Sequence, residues 1–242
     1  MKEDIEIDGL EENKPISPIF KTILSLFLVI IIILFIIPIY SIKYDPMPQD
    51  IPKLTDLIDM AQFKEAQQYG INNTFDINSR QDYLKLLNPS DPFTKQLAVK
   101  IVTQSCPEGG NKAKLCQAKA IYYFVRDNIE YVNDPIDSSA FSSFLKGGDY
   151  VETAEEVLMT GGSDCDGMAV LLANMEAAIG LPIKFVFIPH HVYIRIYLQD
   201  APSKYFVDKK DNYGWIQLDA TCKQCDFGKI PAENKENIVG IV

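Results

Sequence analysis

From Thr22 to Ile42 the chain runs through 21 consecutive uncharged residues dominated by Ile, Leu, Phe and Val. At about 1.5 Å per residue a helix of that length spans the ~30 Å hydrocarbon core of a bilayer. Lys21 and Lys43 bracket the run, and Tyr40 and Tyr44 stand where interfacial aromatic residues would. The pattern predicts a transmembrane helix over 22–42 rather than a cleaved signal peptide. The run is longer than an h-region, and Ser41-Ile42-Lys43-Tyr44 is a poor cleavage site.

Beyond it the pattern changes period. Residues 43–52 hold Pro46, Pro48 and Pro52 and read as an extended Pro-rich tether. Leu54, Leu57, Ile58, Ala61 and Phe63 have helical spacing over Lys53–Tyr69, with Gly70 as a stop. A short helix follows from Gln81 to Leu87. Asp91-Pro92 reads as an N-cap with proline at the first helical position, opening a helix to about Ser105. Leu115, Ala118, Ile121, Tyr122, Val125 and Ile129 then line one face of a helix over Ala113–Ile129. Asp134-Pro135 breaks it, and Phe141–Gly148 reads as a loop. Thr153-Ala154-Glu155-Glu156 has the form of a capping box opening a short helix to Met159.

After the polar turn Gly161-Gly162-Ser163-Asp164, an almost wholly apolar helix is expected from Cys165 to Ile179, stopped by Gly180 and Pro182. Three strands follow. Ile183–Ile188 is apolar except for Lys184, His191–Leu198 alternates with period two, and Tyr213–Leu218 leads into Asp219.

The chain has 242 residues, 47% hydrophobic and 23% charged, a composition that excludes disorder. Its net charge of −10 argues against nucleic acid as a partner, because phosphate binding needs a basic footprint. Five segments are expected: a tail over 1–21, the transmembrane helix over 22–42, the tether over 43–52, a helical layer over 53–110 and a main domain over 111–242. Lysines before the membrane run outnumber those close after it by a small margin, which favours the N-terminus inside and the main domain outside.

Thiol chemistry needs a thiolate, and a helix N-terminus or a neighbouring imidazolium lowers the pKa of a cysteine. Cys165 has the first by position. A lone cysteine is more often a small core hydrophobe, but this one follows a polar turn. His190 and His191 are the only histidines, and His191 opens a strand, where a surface histidine is an equally good reading. Asp219 closes a strand, where an aspartate is usually a turn former. Together they supply a nucleophile, a base and an orienting acid. The remaining cysteines, Cys106, Cys116, Cys222 and Cys225, are even in number. Two local disulfides, Cys106–Cys116 and Cys222–Cys225, are favoured over a four-cysteine zinc site, since nine residues between the first two are loose zinc spacing. Oxidised cysteines would agree with a location outside the membrane.

These residues resemble the transglutaminase-like superfamily of papain-related thiol enzymes. The resemblance covers roughly Ala113 to Asp219. It rests on Tyr123-Phe124-Val125-Arg126-Asp127-Asn128-Ile129-Glu130-Tyr131, on Ala154-Glu155-Glu156-Val157-Leu158 leading into Gly161-Gly162-Ser163-Asp164-Cys165-Asp166, and on Gly180-Leu181-Pro182. His191-Val192-Tyr193 and Trp215-Ile216-Gln217-Leu218-Asp219 complete it, selecting His191 over His190. Gly167-Met168 and Tyr193 depart from the commoner family residues. The resemblance implies an α+β papain/transglutaminase-like core, a nucleophile helix packed on an antiparallel sheet. It also implies a Cys165-His191-Asp219 triad acting through a thioester, with no cofactor. The expected activity is acyl transfer or hydrolysis at peptide or isopeptide amide bonds, of the cysteine peptidase, amidase or protein-glutamine acyltransferase kind. Expected partners are a peptide or protein substrate, cell-surface or wall peptide among them, and membrane lipid through the N-terminal helix. The alternative is an inactive domain that binds peptide or protein outside the membrane.

Overall fold

The computed structural model describes residues 17–43, 45–58, 76–107, 111–132, 149–207, 213–235 and 237–242. Two compact units result, Met1–Lys43 and Tyr44–Val242. The first contributes one helix, α1 (Pro18–Lys43), whose apolar side chains from Ile19 to Leu34 are exposed. Among the described residues no helix is long and apolar enough to cross a membrane. The described side chains of α1 end at Leu34, about 25 Å along the axis and short of a ~30 Å core, so the expected crossing over 22–42 lacks structural support.

The second unit is α+β. Helices α3 (Pro92–Ser105), α4 (Asn111–Asn128) and α6 (Cys165–Ala178) pack on one another, and α6 lies on an antiparallel sheet. The sheet order is β7 (Trp215–Leu218), β6 (His191–Tyr197), β5 (Ile183–Ile188), β8 (Gly240–Ile241). Ten residues of α6, Gly167 to Glu176, are buried in an unbroken run, which makes it the central helix. A helix apolar all round has that place because no face of it tolerates water. The sheet turns Phe185, Phe187, Val192, Ile194, Ile196, Ile216 and Leu218 toward this core.

The capping signals hold. Asp91 accepts from the Thr94 N–H at 2.6 Å, and Thr153 and Glu156 form the capping box of α5 (Ala154–Thr160). The segment expected over Gln81–Leu87 is a 3₁₀ helix over Arg80–Leu86. The helical layer shares the core of the unit, through Leu97, Ala98, Ile101 and Val102 of α3. The helix expected over 53–69 is one turn, α2 (Leu54–Leu57), with Ile58 extended; its remainder and the loop at 141–148 lie outside the described residues. The periodicity does not reveal β8, a two-residue strand whose pairing with β5 is set by tertiary contact.

Residues 45–52 of the expected tether form a strap on the second unit. Asp45 pairs with Lys119, which is fully buried in α4, and with Lys204, and it accepts from the Tyr205 hydroxyl at 2.8 Å. The Gln49 N–H donates to the Ser105 carbonyl at 2.9 Å. Asn128 donates to the Pro52 carbonyl and accepts from the Leu54 N–H at 2.8 Å. Proline keeps the backbone extended, and side chains of α4 then supply the partners it lacks.

Candidate active site

Three elements build the mount of Cys165. Gly161, with φ +71, ends α5 in the left-handed conformation that glycine adopts without strain. Gly162–Ser163 then forms β4, parallel to β2 (Glu130–Tyr131), the continuation of α4. The Asp164 carboxylate caps α6, accepting from the N–H groups of Asp166 (2.9 Å) and Gly167 (3.3 Å). Cys165 is thus the first helical residue. Gly167 is required by packing: a Cβ there would lie 2.0 Å from the Ser163 hydroxyl, which donates to Glu152.

Cys165 is the free cysteine and is half-buried. Burial first, then the carboxylates of Asp166 and Asp164, push its thiol up to about 12, against a smaller opposing effect of the Val192 N–H directed at the sulfur. The helix tip was expected to lower this pKa. It does not: burial of the thiol dominates, and the carboxylates of Asp166 and of the Asp164 cap add to it.

The β5–β6 hairpin turns over Pro189 and His190, and His190 has φ +60. His190 is the exposed turn residue, and His191 is the first residue of β6. His191 Nε2 lies 2.9 Å from Asp219 Oδ2. Asp219, only 1% exposed, stands one residue past β7. Burial would raise its pKa; the His191 ring, Thr221 and Asn234 outweigh that and hold the carboxyl below its ordinary value. Asn234 donates to Oδ2 at 3.1 Å, and the Thr221 hydroxyl and N–H donate to Oδ1 at 2.6 and 3.1 Å. Of the three residues predicted separately, His191 and Asp219 are in contact; Cys165 is reached by the N–H of Val192, the neighbour of His191 on β6, and its thiol donates to Asp166 Oδ1 at 3.6 Å.

Thr221 and Asn234 escape the sequence reading. Thr221 follows a strand-end aspartate at the spacing of a local side-chain turn, a usable signal. Asn234 lies in a short 3₁₀ helix, Ala232–Lys235, and nothing local marks it.

The outer cysteines form two disulfides, Cys106–Cys116 and Cys222–Cys225. These are the two local pairs favoured from the spacing, and sulfurs held in disulfides are not thiolates. The second disulfide closes the turn behind Asp219. Tyr122 donates to the Cys225 carbonyl at 3.0 Å and Arg126 to the same carbonyl at 2.8 Å. The Tyr122–Tyr131 stretch thereby serves both ends of the site, bracing the Asp219 turn through α4 and the cysteine loop through β2.

A model of the transglutaminase-like superfamily matches residues 100–220, half of the chain and the part that carries Cys165, His191 and Asp219. The chain belongs to the transglutaminase-like superfamily. No curated protein matches this transglutaminase-like chain. Among solved structures it is similar to a candidate cysteine protease from Cytophaga hutchinsonii, at 16% identity and a TM-score of 0.39. The match covers 68% of this chain and 48% of the other, so this chain spans about half of that protein.

Proposed function

We propose that the chain is a membrane-anchored thiol enzyme for acyl transfer or hydrolysis at peptide or isopeptide amides. The observation that carries the reading is the 2.9 Å contact of His191 Nε2 with Asp219 Oδ2, in a unit whose free thiol, Cys165, meets the N–H of the residue after His191. With Nε2 committed to Asp219, Nδ1 is the nitrogen left for the Cys165 proton. As that proton passes to His191, the sulfur adds to the amide carbonyl carbon. The resulting oxyanion can take the Cys165 N–H, which the Asp164 cap leaves unused. Collapse breaks the C–N bond, His191 returns the proton to the departing amine, and a thioester remains. Water then releases acid, or an amine forms a new amide. Asp219 keeps the ring oriented and steadies the imidazolium.

The anchor in this proposal is α1. It has 26 residues, about 39 Å of helix, and residues 22–42 carry no charge. A topology with the N-terminus inside and the catalytic unit outside suits two disulfides. The test incubates the full chain with a glutamine peptide, with and without a primary amine, and reads products by mass spectrometry. Deamidation or amine incorporation that disappears in Cys165→Ala is the expected result. No product from the wild-type chain removes the enzymatic reading. A thiol pushed up to about 12 favours a second reading, an inactive cleft that holds peptide or protein. Under that reading Cys165→Ala binds a cross-linkable peptide as wild type does, and neither turns it over.

A further inference from the structure

The face of the sheet turned away from α6 carries charge that the proposed chemistry does not use. Alternate residues of a strand point to opposite faces. Val192, Ile194 and Ile196 enter the main core, whereas Tyr193 joins a separate cluster with Val186, Ile188 and Ile230. Arg195 shares the parity of Tyr193 and therefore its face. It is 6% exposed, its Nε has no hydrogen-bond partner, and its guanidinium interacts with the neighbouring Tyr193 hydroxyl rather than with an acid.

The register deepens the anomaly. Lys184 of β5 stands directly opposite Arg195 on one side, and Gln217 of β7 stands opposite on the other. Like charges facing across a strand pair repel. Among the described residues the Lys184 ammonium finds the Trp215 ring, 4.4 Å to the centroid, and no carboxylate. The acid on this face, Asp219, is engaged by His191, Thr221 and Asn234. Among the described residues no carboxylate forms an ion pair with Arg195, and burying a guanidinium without a counter-charge is costly.

We propose that the Lys184–Arg195–Gln217 row is a binding site for an oxyanion, the carboxylate of a peptide substrate or free phosphate. The planar guanidinium fork suits two oxygens of one such group. The Gln217 amide and the Lys184 ammonium flank it as further donors. Arg195 lies four residues along β6 from His191, about 13 Å at strand rise, so the row is separate from the proposed catalytic centre.

The test uses the full chain in a non-ionic detergent and thermal unfolding at constant ionic strength set with sodium chloride. One arm adds inorganic phosphate. A second adds a blocked glutamate peptide, with its glutamine counterpart as control. Wild type is expected to gain a few degrees, about 3 °C near saturation, in at least one arm. Arg195→Met is expected to lose that gain and to be at least as stable as wild type without anion. A gain with phosphate alone assigns the site to a free anion, and one with the glutamate peptide alone to a substrate carboxylate. No gain beyond the chloride or glutamine controls, or an equal gain in Arg195→Met, overturns the proposal. Should Arg195→Met fail to fold, Lys184→Gln at the exposed end of the row replaces it. Severalfold weaker anion binding is then expected, and unchanged binding overturns the proposal. None of these readouts depends on Cys165.

Discussion

Asn234 donates to the same carboxylate oxygen of Asp219, Oδ2, that His191 contacts, from 3.1 Å against 2.9 Å. The carboxylate is thus held from two sides, and Thr221 takes its other oxygen. Asp219→Asn preserves the shape but presents an amide where Asn234, Thr221 and His191 require an acceptor. Under the proposed reaction, turnover of a glutamine peptide is expected to fall by about 10²- to 10⁴-fold, with little change in KM. An unaltered kcat would remove Asp219 from the machinery.

The same carboxylate has a stability signature. Its pKa is below the ordinary 3.8 in the folded chain, so the unfolded chain binds its proton first as the pH falls. The stabilisation is complete above about pH 3.8 and is lost as the pH descends through the folded pKa. Unfolding followed by circular dichroism between pH 6 and pH 2, on the order of the carboxylate range, should show a smaller acid loss for Asp219→Asn than for wild type.

Asp166 and Asp164 raise the Cys165 pKa alongside burial. Iodoacetamide labelling of the wild-type chain is therefore expected to be slow at neutral pH and to accelerate with rising pH. Asp166→Asn removes one charge and should speed labelling at neutral pH by about tenfold for each pKa unit recovered. Asp164→Asn should do so while keeping a capping side chain. Rapid labelling at neutral pH, indifferent to both substitutions, would contradict this account of the site.

Two glycines of the nucleophile loop should respond for different reasons. Gly161→Ala meets nothing within 4 Å but must hold φ +71, at a cost of about 1 kcal/mol. Gly167→Ala drives a methyl into Ser163, and overpacking of that kind costs about 1–3 kcal/mol. The second should also slow reaction at Cys165, two residues away, whereas the first should leave it near wild type. Denaturant midpoints and labelling rates measured together separate the two effects.

Asp45→Asn leaves the buried Lys119 ammonium without its counter-charge. Lys119 keeps the Pro46 carbonyl at 3.1 Å and Asp45 is partly exposed, so the expected loss is about 2 kcal/mol, below the ~3–5 kcal/mol for breaking a fully buried pair. Lys119→Met removes both the charge and its desolvation and should cost less than Asp45→Asn. A chemical denaturation series on the two variants checks the order.

The amino-acid pattern already specified the elements that carry the site. Capping signals at Asp91 and Thr153 depend on neighbours three residues away, and so read locally. The alternation of His191–Tyr197 and the order of Cys165, His191 and Asp219 were equally plain. What escaped depends on chain separated by long stretches. Asp45 meets Lys119 across 74 residues, and periodicity cannot tell a strap from a free linker. Asn234 meets Asp219 from a segment without pattern. The sign of the thiol shift was missed because a helix tip was weighed without the burial that tertiary packing brings, and without the charges of Asp166 and Asp164. The parity of Arg195 was legible in the alternation, but not that no acid among the described residues would pair with it.

The pinning of Asp45 limits where this protein can act. Only Tyr44 separates the end of α1 from a residue tied into the second unit. Two residue steps span at most about 7 Å, whatever the mutual orientation of the parts. With α1 in a bilayer as proposed, the thiol cannot be cast outward on a long leash. Under that proposal so short a free connection would favour partners held in the same membrane, whose effective concentration is raised. Lengthening the connection at Tyr44 with a flexible insert would exchange that local advantage for reach.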